Sequence, residues 1–334
     1  FGLVKNSIWF RFTVINNSKL PNLLLEVAYP ILDEVELVSA FSDNQYKHIK
    51  LGESKIFADR KYLNPNYTFD LNILPGTSQT YYLRVKSTEQ IITPIYINQP
   101  IALWQSLNKE NLVVGIYLGI VLIMFFYNFF IIFSVKDLSY LYYVLYVAFV
   151  GLTQVGIKGY NYQYLWPESP IFESKSIVLF ACISGIAAIF FTKSFLLTKK
   201  YVAKFDLALT LLSFVFLISI CLTIIGFLQI GFLIMQITTS ISSLAVLYVS
   251  CSIMLKGYKP AIIFFLAWST LLTGAMIFLL KDYGLLPYNN YTSYSVQLAS
   301  AVEMALLSIG LADRINIYKK EKEQSQVQAL SALQ

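Results

Sequence analysis

The sequence predicts a multidomain membrane protein: an N-terminal all-β, jelly-roll-like sandwich, then a seven-helix transmembrane bundle and a C-terminal helical extension. Seven long apolar stretches follow one another between Asn111 and Ile315. Charged residues make up 13% of the chain and hydrophobic residues 57%, whereas soluble domains contain about 25% charged residues. The first hundred residues instead show short alternating runs separated by turn residues, which is typical of β-strands.

Each apolar stretch is long enough to cross a bilayer, which takes roughly 20 mostly apolar residues in a helix. The fourth and fifth stretches are separated only by the uncharged segment 226–231. We nevertheless count seven spans and assign the bundle to residues 109–315. The predicted spans are 111–134, 138–157, 174–195, 205–225, 231–255, 260–281 and 293–315.

The N-terminal part, residues 1–108, is predicted to form the sandwich. In its first long run Ile8 and Phe10 face one way, while Trp9 and Arg11 face the other. This period of two is typical of a strand with one buried face. Many short strands at near-regular spacing favour an antiparallel sandwich of the jelly-roll kind. Further alternating runs lie at 23–27, 35–38, 67–73, 81–85 and 95–97.

The last apolar stretch continues into a polar segment, 316–334, that contains no Gly or Pro to end a helix. From Leu311 onward the apolar or aromatic positions start with heptad spacing, and the pattern weakens at Lys322, as in a stutter. We expect a cytoplasmic signalling helix that begins a coiled coil with its copy in a homodimer. The alternative is a solvated helix that only tethers a further module. The positions concerned are Leu311, Ile315, Tyr318, Lys322, Val327, Leu330 and Leu333.

The basic residues predict the orientation of the chain. With the N-terminal domain outside, eleven of them lie in or beside the inner loops and three in the outer loops, which satisfies the positive-inside rule. The net charge of +6 is therefore assigned to the inner membrane face and its anionic lipids, and no nucleic-acid partner is expected. The inner set is Lys136, Lys193, Lys199, Lys200, Lys204, Lys256, Lys259, Arg314, Lys319, Lys320 and Lys322.

The chain opens on Phe1 and shows no signal peptide. A domain outside the first span normally needs one, so we expect the start of the protein to be missing. The three cysteines, Cys182, Cys221 and Cys251, all lie inside predicted spans. The outer domain therefore has no disulfide framework and depends on its own hydrophobic core for stability.

Four residues of the sandwich are candidates for a sugar-like ligand site: Trp9, Arg11, Asp59 and Arg60. An aromatic face and a few charged groups suit the binding of a polar ligand. The same residues fit strand-face packing or rim ion pairs equally well. His48 is the only histidine in the chain, and we interpret it as an exposed loop residue because it lacks partners for a metal site.

Glu303 is the one clear acidic residue inside a span, where an ionised side chain is costly. At 1.5 Å per helical residue, its depth matches the serines at 242–243 and the threonines Thr270 and Thr273. We expect a hydrogen bond to a neighbouring helix. For both Glu303 and Asn128, helix packing and a role in switching remain open.

Several kinds of chemistry are disfavoured. A retinal protein needs a lysine in its last span, and none lies between Lys281 and Lys319. A zinc-dependent membrane hydrolase needs several ligands at the membrane face, which a single histidine cannot supply. Gly-rich phosphate loops, Ser/His/Asp sets and paired membrane carboxylates are not found. The prediction is therefore no enzyme, no metal and no cofactor.

Segments along the whole chain carry a recognisable pattern: 9–16, 32–37 and 81–87 in the sandwich, then 115–146, 160–167 and 303–315 in the membrane part. The most telling residues are Tyr127-Asn128, Asp137 and the run 139–143. Together these segments resemble the bacterial seven-transmembrane receptors with diverse intracellular signalling modules, including their all-β periplasmic sensor domain of type 2. No single motif is specific; the order of the motifs and the span count carry the resemblance. The sandwich resembles that domain without its first strand.

The resemblance implies a receptor of the bacterial inner membrane with a carbohydrate-binding-like periplasmic domain. In that family the last span usually feeds a histidine kinase, a diguanylate cyclase or a phosphatase. The expected function is thus transmembrane sensing of a periplasmic small molecule or glycan, relayed to an output module absent from this chain. Membrane lipids and a second copy are the other expected partners. The alternatives are a small-solute transporter or channel, which tends to show repeated halves, and an outer domain that docks a partner protein.

Overall fold

The computed structural model describes residues 2–3, 6–42, 45–88, 90–282, 284–287 and 289–331. It contains an N-terminal antiparallel sandwich, seven helices long and apolar enough to cross a membrane, and a helical continuation of the last one. The predicted fold class and the count of seven spans are confirmed. Residue contacts divide the chain into two compact units: 1–116 with 152–181 and 219–233, and 117–151 with 182–218 and 234–334.

Every predicted run of alternating residues lies in a strand, except that Ile73, the last residue of the run 67–73, follows the end of its strand. In the first of them apolar and exposed side chains alternate as expected: Phe10 packs against the core and Trp9 is exposed. The strands are β1 (Gly2–Leu3), β2 (Ile8–Ile15), β3 (Asn22–Val27), β4 (Glu34–Ser42), β5 (Gln45–Leu51), β6 (Tyr67–Asn72), β7 (Ser78–Lys86), β8 (Gln90–Ile91) and β9 (Ile95–Asn98).

The strands form a four-stranded sheet in the order β2-β7-β4-β5, a three-stranded sheet in the order β6-β3-β9, and the pair β1-β8. All pairings are antiparallel. Inward-facing side chains of the two larger sheets form one core, in which Leu25, Val35, Phe69 and Leu83 are essentially inaccessible to solvent. This burial stabilises the sandwich without disulfides.

The interpretation of His48 as a loop residue is wrong, because His48 lies in β5 opposite Val38 of β4. The segment Gln45–Leu51 alternates charged and apolar residues and is mostly exposed. It shows little hydrophobic signal by itself. Pairing with the strong strand β4 supplies the backbone hydrogen bonds that make it a strand.

The helices of the membrane part agree with the predicted spans to within a few residues at most ends. Three short helices, α3, α5 and α9, lie in the connections. The helices are α1 (Pro100–Val135), α2 (Leu138–Ile157), α3 (Tyr160–Tyr164), α4 (Pro170–Leu196), α5 (Thr198–Tyr201), α6 (Ala203–Ile225), α7 (Leu228–Leu255), α8 (Pro260–Asp282), α9 (Asn290–Ser293) and α10 (Ser295–Ser331).

The first helix begins at Pro100, eleven residues before the predicted start of the span at Asn111. Proline suits the first turn of a helix because its missing N–H has no partner there. Leu103 and Leu107, one turn apart, pack against Leu24 of the sandwich. The helix is therefore continuous across the predicted boundary between residues 108 and 109, and that boundary stays a prediction.

The last helix, α10, runs without a break to Ser331, which confirms that the seventh span continues as a helix. The side chains from Tyr318 onward, which include most of the proposed heptad positions, lie outside the described residues, as does Leu333 altogether. Pairing of this segment with a second copy stays a prediction.

Candidate ligand-binding and signal-transfer site

A surface cavity of about 330 Å³ is formed by the end of β5 and the chain that follows it. This volume lies at the lower end of the range for small-molecule sites. Asp59 and Arg60, two of the four predicted ligand residues, line it. The lining includes three cationic residues and one carboxylate, and with Lys55 exposed the cavity suits a polar ligand with negative charge. The lining residues are Lys50, Leu51, Gly52, Ser54, Lys55, Ile56, Asp59 and Arg60.

Trp9 and Arg11, the other two predicted ligand residues, are exposed on the outer face of the four-stranded sheet. Trp9, Arg84, Glu36 and Lys50 lie opposite one another on adjacent strands and form a row across the sheet. That row spans three strand separations, or about 14 Å. Trp9 and Arg11 thus share a sheet face with Lys50 but do not line the cavity, and their role in binding stays a prediction.

A charged network occupies the middle of this sheet face. Arg84 Nη1 lies 3.0 Å from a carboxylate oxygen of Glu34 and 3.3 Å from one of Glu36. Glu36 also contacts His48 Nδ1 at 2.9 Å and Lys50 Nζ at 3.6 Å. Burial alone would raise the pKa of Glu36, but the His48 hydrogen bond and the nearby cations lower it below its ordinary value. Glu36 is therefore ionised, and its carboxylate links Arg84 on one side to Lys50 on the other.

Arg60 is only 6% exposed and is held by carbonyl oxygens and aromatic rings. Its Nη1 donates to the carbonyl oxygens of Asn64 at 3.2 Å and Pro65 at 3.0 Å. The guanidinium carbon lies 4.4 Å from the ring centroid of Phe57 and 4.7 Å from that of Tyr67. Burial lowers the pKa of Arg60 below its ordinary value, yet arginine stays charged in proteins. Arg60 thus fixes the shape of the cavity wall.

The same wall contacts the connection that follows α2, within the first unit. Tyr162 donates its hydroxyl to the carbonyl oxygen of Lys55 at 2.5 Å, and its ring meets that of Phe57 edge-on at 5.5 Å. Burial raises the pKa of Tyr162 to about 12, so the hydroxyl remains a donor. We call the contact between residues 52–67 and 158–167 the junction.

Two further hydrogen bonds cross the junction. The backbone N–H of Phe57 donates to the carbonyl oxygen of Pro167 at 2.9 Å, and Gln163 Nε2 donates to that of Leu63 at 3.2 Å. Lys55 both lines the cavity and contacts α3. A ligand that moves the cavity wall must therefore strain or shift the connection after α2.

Gly159 closes the junction where no side chain fits. Its φ is +76°, and a Cβ atom would lie 2.7 Å from Cβ of Pro30 and 3.0 Å from Cβ of Pro65. Gly159→Ala is expected to destabilise the first unit by about 2 kcal/mol, from left-handed backbone strain and crowding together. Thermal unfolding of the full chain in detergent measures it. Gly76→Ala is the control, since Gly76 has the same φ but open space around it; equal losses from both variants would contradict the crowding.

In the second unit, the last helix is hydrogen-bonded to the first one at two levels. The hydroxyls of Tyr117 and Ser300 lie 3.1 Å apart. Asn128, which is fully buried, donates from Nδ2 to Ser308 Oγ at 3.1 Å. An interhelical hydrogen bond from a side-chain amide positions neighbouring helices in lipid, where unpaired polar groups are costly. This contact fits the packing interpretation of Asn128; a switching role stays a prediction.

Glu303 is also fully buried, and Tyr146 of α2 donates its hydroxyl to Glu303 Oε1 at 3.0 Å. In the described part of the chain Glu303 Oε2 has no hydrogen-bond partner. The expected bond to a neighbouring helix is present, but the threonines matched to it by depth are not the partners. Thr270 and Thr273 donate to carbonyl oxygens of their own helix, α8. Likewise, the hydroxyl of Ser242 in α7 lacks a partner among the described residues.

Helices α8 and α10 pack closely because small residues face each other. A Cβ atom on Gly274 would lie 2.3 Å from Cβ of Ala299, and one on Gly310 would lie 3.2 Å from a methyl of Ile263. The two contacts lie eleven residues apart on each helix and so belong to one antiparallel register. Small residues at such contacts allow helices to approach closely in membranes, so α10 is closely confined along α8.

A polar cluster holds the end of the seventh span. Arg314 is 6% exposed; its Nη1 donates to Ser139 Oγ at 2.9 Å, and its Nη2 lies 3.6 Å from Asp137 Oδ2. Ser139 Oγ is also 2.7 Å from Ser194 Oγ. Asp137 Oδ1 accepts a hydrogen bond from the backbone N–H of Ser139 and so caps the start of α2. We call Asp137, Ser139, Ser194 and Arg314 the exit cluster.

A β-sandwich with a ligand-sized cavity, joined to seven spans and a continuing helix, defines the architecture of a membrane receptor. Residues 110–314 match the family described as 7TM diverse intracellular signalling, and residues 1–99 match its domain 7TMR-DISM extracellular 2. The chain belongs to this family of seven-transmembrane receptors with diverse intracellular signalling. It is a multi-pass membrane protein and a sensory receptor with an extracellular sensor domain. No curated protein and no solved structure matches it.

Proposed function

We propose that this receptor binds a glycan-like ligand with an acidic group in the cavity beside Lys55 and relays binding to an output module beyond the last helix. One observation carries the proposal: Lys55 and Arg60 line the cavity, and the same wall is hydrogen-bonded to the connection after α2. The exposed side chain of Lys55 favours a carboxylate or phosphate on the ligand. The interleaved strand order supports the jelly-roll-like sandwich expected from the sequence.

The relay runs along α2. This helix ends at Ile157, next to the junction, and begins at Leu138, next to the exit cluster. Along its length Tyr146 binds Glu303, and Tyr143 donates its hydroxyl to the carbonyl oxygen of Met304 at 2.5 Å. A shift of α2 therefore acts on α10 through several hydrogen bonds, and α10 continues beyond the span.

We further propose that the receptor lies in a bacterial inner membrane, with its sensor domain in the periplasm and its C-terminus in the cytoplasm. The distribution of basic residues supports this orientation, since eleven of them lie in or beside the loops assigned to the inside and three in the outer loops. Pairing of two copies through residues 316–334 would give the relay a partner helix against which to move.

Lys55→Gln is expected to weaken ligand binding about tenfold, the effect of losing one charge-assisted hydrogen bond. The Lys55 side chain is exposed, and its junction contact is made by the backbone carbonyl, so the fold should be unaffected. Calorimetry on the full chain in nanodiscs, against acidic and neutral cell-envelope saccharides, measures the affinity. Lys61→Gln is the matched control, because Lys61 is exposed beside Asp70 and does not line the cavity.

Two results would contradict this site. Binding that is lost in Trp9→Ala and Arg11→Ala but retained in Lys55→Gln would move the ligand to the open sheet face. An absence of binding across the panel, together with capture of a periplasmic protein by the sensor domain, would favour the docking alternative.

A further inference from the structure

A second cavity, of about 340 Å³, lies at the connection between the third and fourth spans. Its lining consists of Lys193, Leu197, Lys199 and Lys200. It is remote in sequence from the sensor domain and plays no part in the relay described above. Its composition, three ammonium groups and one aliphatic side chain, indicates a ligand that is anionic at one end and apolar at the other.

The connection that carries these lysines is tied down at several points. Thr198, which is fully buried, donates its hydroxyl to Asp206 Oδ1 at 2.6 Å. The ring of Tyr201 packs on that of Tyr258 with centroids 5.4 Å apart, and Lys256 donates to the carbonyl oxygen of Tyr201 at 2.5 Å. The lysines therefore project from a braced turn, which lowers the entropy lost when a ligand binds.

The positive charge of the cavity is only partly neutralised. Lys193 Nζ lies 3.2 Å from Asp206 Oδ2 and donates to the hydroxyl of Thr210. Lys199 and Lys200 are exposed, and within the described ranges neither forms a salt bridge with a carboxylate. Lys200 Nζ lies 5.4 Å from the ring centroid of Tyr201, so Lys199 and Lys200 stand beside Lys193 without a carboxylate partner among the described residues.

The surroundings favour a lipid as the source of the anion. The start of α6, which follows the connection directly, exposes Phe205, Leu207 and Leu211, as expected of a helix that faces acyl chains. We propose that this cavity binds the phosphate headgroup of an anionic phospholipid, with Lys199 and Lys200 at the phosphate and Leu197 beside the glycerol and acyl chains. Basic pockets at helix ends bind such headgroups in membrane proteins.

Native mass spectrometry of the full chain, released from detergent after addition of phosphatidylglycerol or phosphatidylcholine, tests the proposal. The K199Q/K200Q variant is expected to bind phosphatidylglycerol about tenfold less than the unaltered chain. The charge-matched control is K136Q/K259Q, which removes two exposed lysines from other loops assigned to the same membrane face. Thermal unfolding of each variant confirms that the fold is intact.

Selective loss of phosphatidylglycerol in K199Q/K200Q supports the site. Equal loss in both variants would overturn it, because the lysines would then act only through the general charge of the membrane face. Displacement of the lipid by millimolar inorganic phosphate or a nucleotide would overturn the choice of a lipid and assign the cavity to a soluble phosphate compound. Equal binding of phosphatidylcholine would overturn the requirement for an anion.

Discussion

Replacing Arg60 by methionine is expected to destabilise the first unit by about 3 kcal/mol, the upper range for a single substitution. Methionine keeps the apolar stem of the side chain but leaves the carbonyl oxygens of Asn64 and Pro65 buried without their donor. It also removes the stacking of the guanidinium on Phe57 and Tyr67. Thermal unfolding of the full chain, followed by limited proteolysis of the sensor domain, measures the loss.

Arg11→Met is the matched control, because Arg11 is exposed and lies over the ring of Tyr82 at 5.9 Å. Its change in stability should stay within about 0.5 kcal/mol. Arg60→Lys should fall between the two, since an ammonium keeps the charge and can donate to carbonyl oxygens but lacks the planar face that stacks on the two rings. An Arg60→Met variant with unchanged stability but abolished ligand binding would make Arg60 a ligand residue and contradict its structural role.

Tyr146→Phe is expected to destabilise the second unit more than Glu303→Leu does. The first substitution leaves the carboxyl group of Glu303 fully buried with neither oxygen paired, at a cost of about 2 kcal/mol. The second removes a carboxyl group that already has one unpaired oxygen, which offsets part of the lost bond. Thermal unfolding of the full chain in detergent gives the order of the two variants.

The double variant Tyr146→Phe/Glu303→Leu completes the test. Because it removes both polar partners, it should recover most of the stability lost in Tyr146→Phe. Tyr142→Phe is the control for a hydroxyl lost from the same helix, since the Tyr142 ring packs on Phe190. Additive losses in the double variant would show that Tyr146 and Glu303 do not act as a pair.

The spans and the inward faces of the strands could be predicted because they depend on local patterns. A helix in lipid must be long and apolar, and a strand with one buried face must alternate. The exceptions depend on tertiary contacts. Strand β5 exists because β4 pairs with it, and α1 starts at Pro100 because Leu103 and Leu107 pack on the sandwich.

The functional residues were harder to predict for the same reason. Residue type pointed to Arg60, but the aromatic rings around its guanidinium include that of Tyr162, about a hundred positions further along the chain. Helical depth predicted that Glu303 is hydrogen-bonded, yet depth cannot identify which helix is adjacent, and the partner is Tyr146. The sequence predicted Arg314 only as one of the inner-face charges. Asp137 and Ser139, which belong to the family pattern, were the only sign of the exit cluster.

Hydrogen exchange at the exit end of the last helix, residues 309–317, tests the relay most directly. It would be measured on the full chain in nanodiscs, with and without a saturating saccharide identified by calorimetry. We expect the ligand to change exchange there, because the junction, α2 and Arg314 connect that end to the cavity wall. Gly159→Ala should reduce the change without abolishing binding. Ligand-induced changes confined to residues 1–99 would contradict the relay.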